Sequence, residues 1–117
     1  HIYGDAVLKT IADTINATIR GSDLLFRYGG EEFVVLTSQT VSDGAYLLAE
    51  RIRKNIENIT QINSITTHTT LSLGVATLLD GESAQQFFER ADAALYQAKN
   101  NGRNKTEIAE HLPGQDK

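Results

Sequence analysis

The stretch from Leu24 to Leu36 reads Leu-Leu-Phe-Arg-Tyr-Gly-Gly-Glu-Glu-Phe-Val-Val-Leu, and it restricts the fold more than any other part of the chain. Two apolar runs flank a pair of adjacent glycines, and a Gly-Gly pair supplies the positive φ angles that a tight turn between twisted strands requires. The stretch is therefore expected to be a β-hairpin with Gly29, Gly30, Glu31 and Glu32 at its tip. Two readings of that tip stay open. Gly-Gly followed by polar residues is the ordinary composition of a solvent-exposed turn. Adjacent carboxylates beside bare backbone also suit a magnesium nucleotide, because Mg²⁺ takes hard oxygen ligands and glycine lets phosphate or ribose approach the main chain.

The elements around the hairpin follow from periodicity. Val7, Leu8, Ile11, Ile15 and Ile19 recur at three- and four-residue spacings, which predicts a helix from Gly4 to Ile19. Asp5 lies in its first turn, where the helix dipole favours a carboxylate. Arg20-Gly21-Ser22-Asp23 links that helix to the hairpin, with Arg20 placed to oppose the dipole at the helix end. Ser42 is the expected N-cap of a second helix running to Asn58, with Leu48, Ile52, Ile56 and Ile59 inward and Glu50, Arg51, Arg53 and Lys54 on a wet face. From Ser64 to Thr77, Leu71, Leu73 and Val75 alternate with Ser72, Gly74 and Ala76, which predicts a strand with one bulky and one small face. Its expected partner is a short strand before His68, with His68 in the hairpin. Ser83 and Gln86 have capping-box spacing for a third helix, which turns Phe87, Phe88, Ala91, Leu95 and Ala98 inward and ends at Asn100-Asn101-Gly102. Lys99 in its last turn and Arg103 just beyond are favoured there by the dipole. A short strand from Lys105 to Ala109 precedes a polar tail, residues 111–117.

Composition excludes several classes. A chain of 117 residues with 40% hydrophobic content is long enough to bury roughly two-thirds of its unfolded surface, so a globular domain is expected over residues 1–110. The formal net charge of −4 and scattered cations argue against a nucleic-acid binder, which shows a basic face. Cysteine is absent, which removes disulfides and thiolate metal sites and accords with a reducing compartment. His1, His68 and His111 have no carboxylate or second histidine at ligand spacing. No apolar run approaches the ~20 residues of a membrane span.

Four motifs in one order give a specific resemblance. Gly29-Gly30-Glu31-Glu32-Phe33 resembles the signature of the GGDEF family, the diguanylate cyclases, in its GGEEF variant. Arg20-Gly21-Ser22-Asp23 resembles the family's RxxD inhibitory motif at the expected spacing. His1-Ile2-Tyr3-Gly4-Asp5-Ala6-Val7-Leu8 is similar to GHxxGDxVL without its leading glycine. Ala91-Asp92-Ala93-Ala94-Leu95-Tyr96-Gln97-Ala98-Lys99 with Gly102-Arg103-Asn104 resembles ADxALYxAKxxGRN. The resemblance implies an α/β (α+β) fold with a mainly antiparallel central sheet flanked by helices, similar to the polymerase palm and the class III nucleotide cyclases. It implies condensation of two GTP into cyclic di-GMP with release of two pyrophosphates, a Mg²⁺ or Mn²⁺ cofactor, a homodimer in which two half-sites meet, a cytoplasmic location and an upstream sensory or regulatory domain. By motif position, Glu31 and Glu32 become metal and catalytic residues, and Gly29 and Gly30 the close backbone. Asp5 becomes the guanine acceptor, Lys99 and Arg103 the grips on the terminal phosphates, and Arg20 and Asp23 the inhibitory site. Arg51 is the nearest match to an arginine that holds product at that site in a neighbouring subunit, although its own neighbours favour a solvated charged face.

The sequence departs from the family at its start. A complete domain carries a strand, a loop and a helix ahead of GHxxGD, and these supply a metal-binding aspartate, a carbonyl ligand and an asparagine that reads guanine. None is assignable in a sequence opening at His1. The expectation is that this polypeptide alone is catalytically silent and prone to associate. A binding module that takes GTP or cyclic di-GMP without turnover is the alternative, disfavoured by the intact glycines and acids; a membrane anchor upstream is compatible with all of this.

Overall fold

A computed structural model describes residues 2–38 and 43–109, with the side chains of Ile2 and Tyr3 left aside. His1, Ser42, His111 and the tail lie outside the described residues; the N-cap of the second helix is Asp43, whose side chain makes no capping hydrogen bond, and not the expected Ser42. The chain forms two compact units, His1–Thr69 and Thr70–Lys117.

The first unit contains helix α1 (Ile2–Thr18), strands β1 (Leu24–Gly29) and β2 (Glu32–Leu36), helix α2 (Gly44–Glu57), and the short strands β3 (Gln61–Ile62) and β4 (Ile65–Thr66). Its core is aliphatic. Ile11 and Ile15 of α1 and Leu48, Ile52 and Ile56 of α2 are buried as the stripes predict, together with Ala49 of α2 and Ile62 of β3, while Val7, Leu8, Ile19 and Ile59 are half-buried; α1 packs on α2 and β3. β1 and β2 pair antiparallel from Leu24↔Leu36 to Arg27↔Phe33. Leu24, Phe26 and Tyr28, alternate residues on β1, are exposed, as is Leu36.

The charged face of α2 is only partly wet: Arg53 donates to both oxygens of Glu50 at 2.7 and 2.9 Å, and the two side chains are 13% and 19% exposed. The two charges satisfy each other. His68 is exposed and lies beyond β4, outside any hairpin. The turn closes earlier because Asn63 and Ser64 take φ of 51° and 65°, the left-handed pair that a two-residue hairpin needs.

The second unit contains β5 (Leu73–Val75), α3 (Ala84–Asn100) and β6 (Thr106–Ile108). β5 pairs with β6, in parallel, from Leu73↔Thr106 to Val75↔Ile108, and not with a strand before His68. Parallel neighbours need a crossover, and α3 provides it. Mixed α/β architecture is thus present in three two-stranded ladders, two antiparallel and one parallel. The helix lies against the small face of β5. A Cβ placed on Gly74 would come within 2.2 Å of the Ala91 carbonyl oxygen and 2.4 Å of the Leu95 nitrogen, so strand and helix backbones touch without a side chain between them. Among the described residues no helix is long and apolar enough to cross a membrane.

Gly74→Ala should lower the stability of this unit by about 3 kcal/mol, the upper end of overpacking costs, because the obstructing atoms are backbone and cannot rotate away. Chemical denaturation of the variant measures the loss, and a stability within error of the parent would show that α3 does not rest on that glycine.

Candidate functional site

The tip of the β1–β2 hairpin presents its groups to solvent. The ladder slips between Arg27 and Gly29, and pairing resumes at Gly29↔Glu32. Gly30 takes a left-handed φ of 36°, and no atom stands within 4 Å of the Cβ position of either Gly29 or Gly30. Main chain and carboxylates are therefore open together, since Glu31 and Glu32 are also exposed. Arg27 reaches back over the turn and donates to the Gly30 carbonyl through Nε at 2.8 Å and through Nη2. Beside the hairpin a cleft of about 390 Å³ runs along α1, with Asp5 and Lys9 on one wall and Leu25, Arg27 and Phe33 on the other. The structure thus brings Asp5 to the same cleft as the base of the carboxylate-bearing turn.

Arg20 and Asp23 are joined in one network. The Asp23 side chain is fully withdrawn from solvent while that of Arg20 is 53% exposed. Asp23 accepts from the Arg20 amide at 2.9 Å, the Arg20 guanidinium at 3.2 and 3.4 Å, and the Thr37 hydroxyl at 2.7 Å. Arg20 Nη2 also donates to the Thr37 hydroxyl and, at 2.8 Å, to the Ser38 carbonyl. The Thr37 hydroxyl, then the Arg20 amide and guanidinium, hold the Asp23 carboxyl down to about 2 from an ordinary 3.8. Arg51 stands exposed on α2, away from the Glu50–Arg53 pair.

In the second unit the end of α3 carries two exposed cations, Lys99 and Arg103. The Arg103 amide bonds the Ala98 carbonyl at 2.9 Å, a six-to-one closure of the Schellman type that satisfies a terminal carbonyl. Gly102, Arg103 and Asn104 take φ of 117°, 62° and 47°. Two non-glycine residues in the left-handed region are costly and persist only where the surroundings hold them. Lys105 Nζ donates to the Asn101 carbonyl and Ser72 Oγ accepts from the Asn104 amide at 3.2 Å, so both flanks of Arg103 are fixed. At its other end α3 has the expected capping box, the Ser83 hydroxyl accepting from the Gln86 amide at 3.1 Å and Gln86 accepting from the Ser83 amide at 3.0 Å.

Several participants escaped the sequence reading. Arg27 and Thr37 were not singled out by any sequence pattern. Arg90 and Glu82 form a buried pair, 2.5 and 2.8 Å apart, with Arg90 also donating to the Thr77 carbonyl at 2.5 Å. Each holds the other charged: Glu82 is pushed down by Arg90, and Arg90 up by Glu82. A signal existed, because Arg90 stands four residues before Ala94 and eight before Ala98, on the stripe that faces inward.

Two adjacent hard carboxylates fit a small divalent cation by type. Among the described residues no group of three His, Cys, Asp or Glu could hold a metal, so further ligands have to come from phosphate, water or groups outside them.

A family model described as "Diguanylate cyclase, GGDEF domain" matches residues 1–105. Diguanylate cyclase A of Treponema denticola is 41% identical over 113 residues, covering 95% of this chain and 30% of its own length. The GGDEF domain of DgcB from Caulobacter crescentus, solved in complex with c-di-GMP, superposes with a TM-score of 0.87 at 33% identity, covering 95% of this chain and 67% of that one. The active GGEEF domain of a diguanylate cyclase from Vibrio cholerae gives a TM-score of 0.85 at 32% identity, covering 96% and 72%. The chain spans less than a third of the length of the curated relatives it matches.

Because the Asp23 pKa is lower in the folded protein than its ordinary value, its contribution to stability is complete above pH 3.8 and is lost as the pH falls toward about 2. Asp23→Asn should therefore be less stable than the parent at neutral pH, with the gap closing across that window. Denaturation midpoints measured from pH 7 to pH 2 test it; a gap that does not change with pH would mean that the carboxylate charge is not what holds the network.

Proposed function

Because the chain belongs to the GGDEF domain family, we propose that the protein is a diguanylate cyclase, joining two GTP molecules into cyclic di-GMP with release of two pyrophosphates. The observation that carries this reading is the hairpin tip, where two exposed carboxylates stand beside two glycines whose backbone is open to a ligand. Phosphoryl transfer asks little covalent chemistry of a protein; it asks for positioning and for charge placed where the phosphates lie. Asp5, in the cleft beside the hairpin, is assigned to accept hydrogen bonds from guanine. Gly29 and Gly30 admit the nucleotide to the main chain. Lys99 and Arg103 are assigned to the terminal phosphates, as cations that a dipole-bearing helix end already favours. Glu31 and Glu32 are the residues to hold Mg²⁺ or Mn²⁺, which when bound would supply Lewis-acid stabilisation of phosphate charge, and Glu32 is also assigned to the attacking 3′-hydroxyl.

One subunit holds one GTP in this reading, so the reaction needs a two-fold dimer with hairpins facing each other. Product control is assigned to Arg20 and Asp23, with Arg51 reaching from a neighbouring subunit. Support comes from the half-exposed Arg20 guanidinium, whose fork is already oriented by Asp23, Thr37 and Ser38; an oriented fork is what bidentate phosphate recognition uses. Residues 1–110 as the catalytic domain, the tail 111–117, an upstream sensory or regulatory domain and a cytoplasmic location complete the proposal.

The test uses the full-length protein with GTP and Mg²⁺, following cyclic di-GMP by chromatography. Glu31→Ala should lower product formation roughly 100-fold or more without changing the melting curve. A well-folded dimer that binds GTP and makes no product would replace the cyclase with a binding module. Arg20→Ala should weaken cyclic di-GMP binding in calorimetry by roughly tenfold or more, the loss of a charge-assisted fork, and an unchanged affinity would remove the inhibitory site.

A further inference from the structure

A turn built on Gly29-Gly30 is soft by composition, because glycine loses more conformational freedom on ordering than any other residue. The two residues that the cyclase reading needs in fixed positions, Glu31 and Glu32, hang from that turn. Something outside the glycines has to hold it. Arg27 does bond the turn backbone: its Nε and Nη2 converge on the Gly30 carbonyl oxygen.

Peptide planarity gives that contact a reach of one residue. The Gly30 carbonyl and the Glu31 amide belong to one rigid plane, so anchoring the oxygen fixes the ψ of Gly30 and the direction in which the chain enters Glu31. Arg27 is well placed for this. It is the last residue of β1 in regular register, opposite Phe33, and the ladder slips just after it; its clamp bridges the interval where backbone pairing fails. Among the described residues Arg27 forms no ion pair with Glu31 or Glu32, so the clamp leaves both carboxylates available.

We infer that Arg27 is a positioning residue of the hairpin tip, acting through the Gly30 carbonyl to hold Glu31 and Glu32 ready for a divalent cation and nucleotide. The inference rests on the cyclase reading for its consequence and on the geometry alone for its mechanism, and two measurements separate them. The first needs no ligand: in the full-length protein without metal or nucleotide, hydrogen exchange of the peptide covering residues 28–33 should quicken about tenfold in Arg27→Ala, reflecting local opening of the turn. The second is the Mg²⁺ titration of cyclic di-GMP formation. Half-saturating Mg²⁺ should rise about tenfold in Arg27→Ala, as for loss of a charge-assisted hydrogen bond, while KM for GTP at saturating Mg²⁺ changes less than twofold.

Arg27→Gln and Arg27→Lys identify what the guanidinium supplies. Gln keeps a donor on a shorter, uncharged side chain, and Lys keeps the charge without the fork. Recovery of slow exchange and of the Mg²⁺ midpoint by Gln, and less by Lys, supports the clamp. Unchanged exchange in Arg27→Ala overturns it, as does recovery by Lys with none by Gln, which would make Arg27 a charge acting on the nucleotide. Arg27 is exposed, so circular dichroism should show all three variants folded. If the unaltered protein makes no product, the cyclase reading falls while the exchange measurement still decides the clamp.

Discussion

The first unit depends on one buried carboxylate. A charge withdrawn from water is tolerable only when its hydrogen-bonding capacity is filled, and Asp23 fills its own from two directions, Arg20 at the end of α1 and Thr37 just after β2. Both legs of the hairpin are thereby tied to the helix end at their base. The tip is left to project beyond that foundation. The same arrangement limits how a phosphate could be received here. Asp23 has no accessible surface to offer, so an incoming anion meets the outer face of Arg20, and the carboxylate acts by orienting that arginine.

The second unit reaches a comparable precision with different chemistry. Its helix is fixed at the start by the Ser83–Gln86 box and the Glu82–Arg90 pair, along its length by Gly74, and at the end by the Arg103 amide on Ala98. Burying an ion pair contributes little net stability, yet breaking one leaves an uncompensated charge. Arg90 with Glu82 therefore specifies the path of residues 77–82 into α3 more than it strengthens the fold.

How much of this could be read from the chain depends on the range of the interaction. The hairpin, the stripes of α1 and α2, and the Ser83 box are local patterns, and each stands where periodicity and capping rules put it. The partner of β5 was not legible, because alternation on Leu71, Leu73 and Val75 describes faces and says nothing of which strand lies alongside. The turn at Asn63-Ser64 was missed because neither residue is glycine, although asparagine tolerates the left-handed region. Arg53 and Arg90 were hidden by a rule that places charges outside; both satisfy a carboxylate on the same or an adjoining segment, which removes the cost that the rule assumes. For the site, the motif residues Gly29, Gly30, Glu31 and Glu32 were evident, and their supports, Arg27 and Thr37, were not, since a supporting role is defined by a contact and not by residue type.

The bare contact at Gly74 also has a mechanical meaning. Most helix–strand interfaces contain a layer of side chains that can change rotamer, and such a layer absorbs small displacements before they travel. Here that compliant layer is missing at the centre of the interface, with Ala91 and Leu95 backbone seated on the strand itself. Strand and helix backbone are thus in direct contact along the helix whose far end carries Lys99 and Arg103.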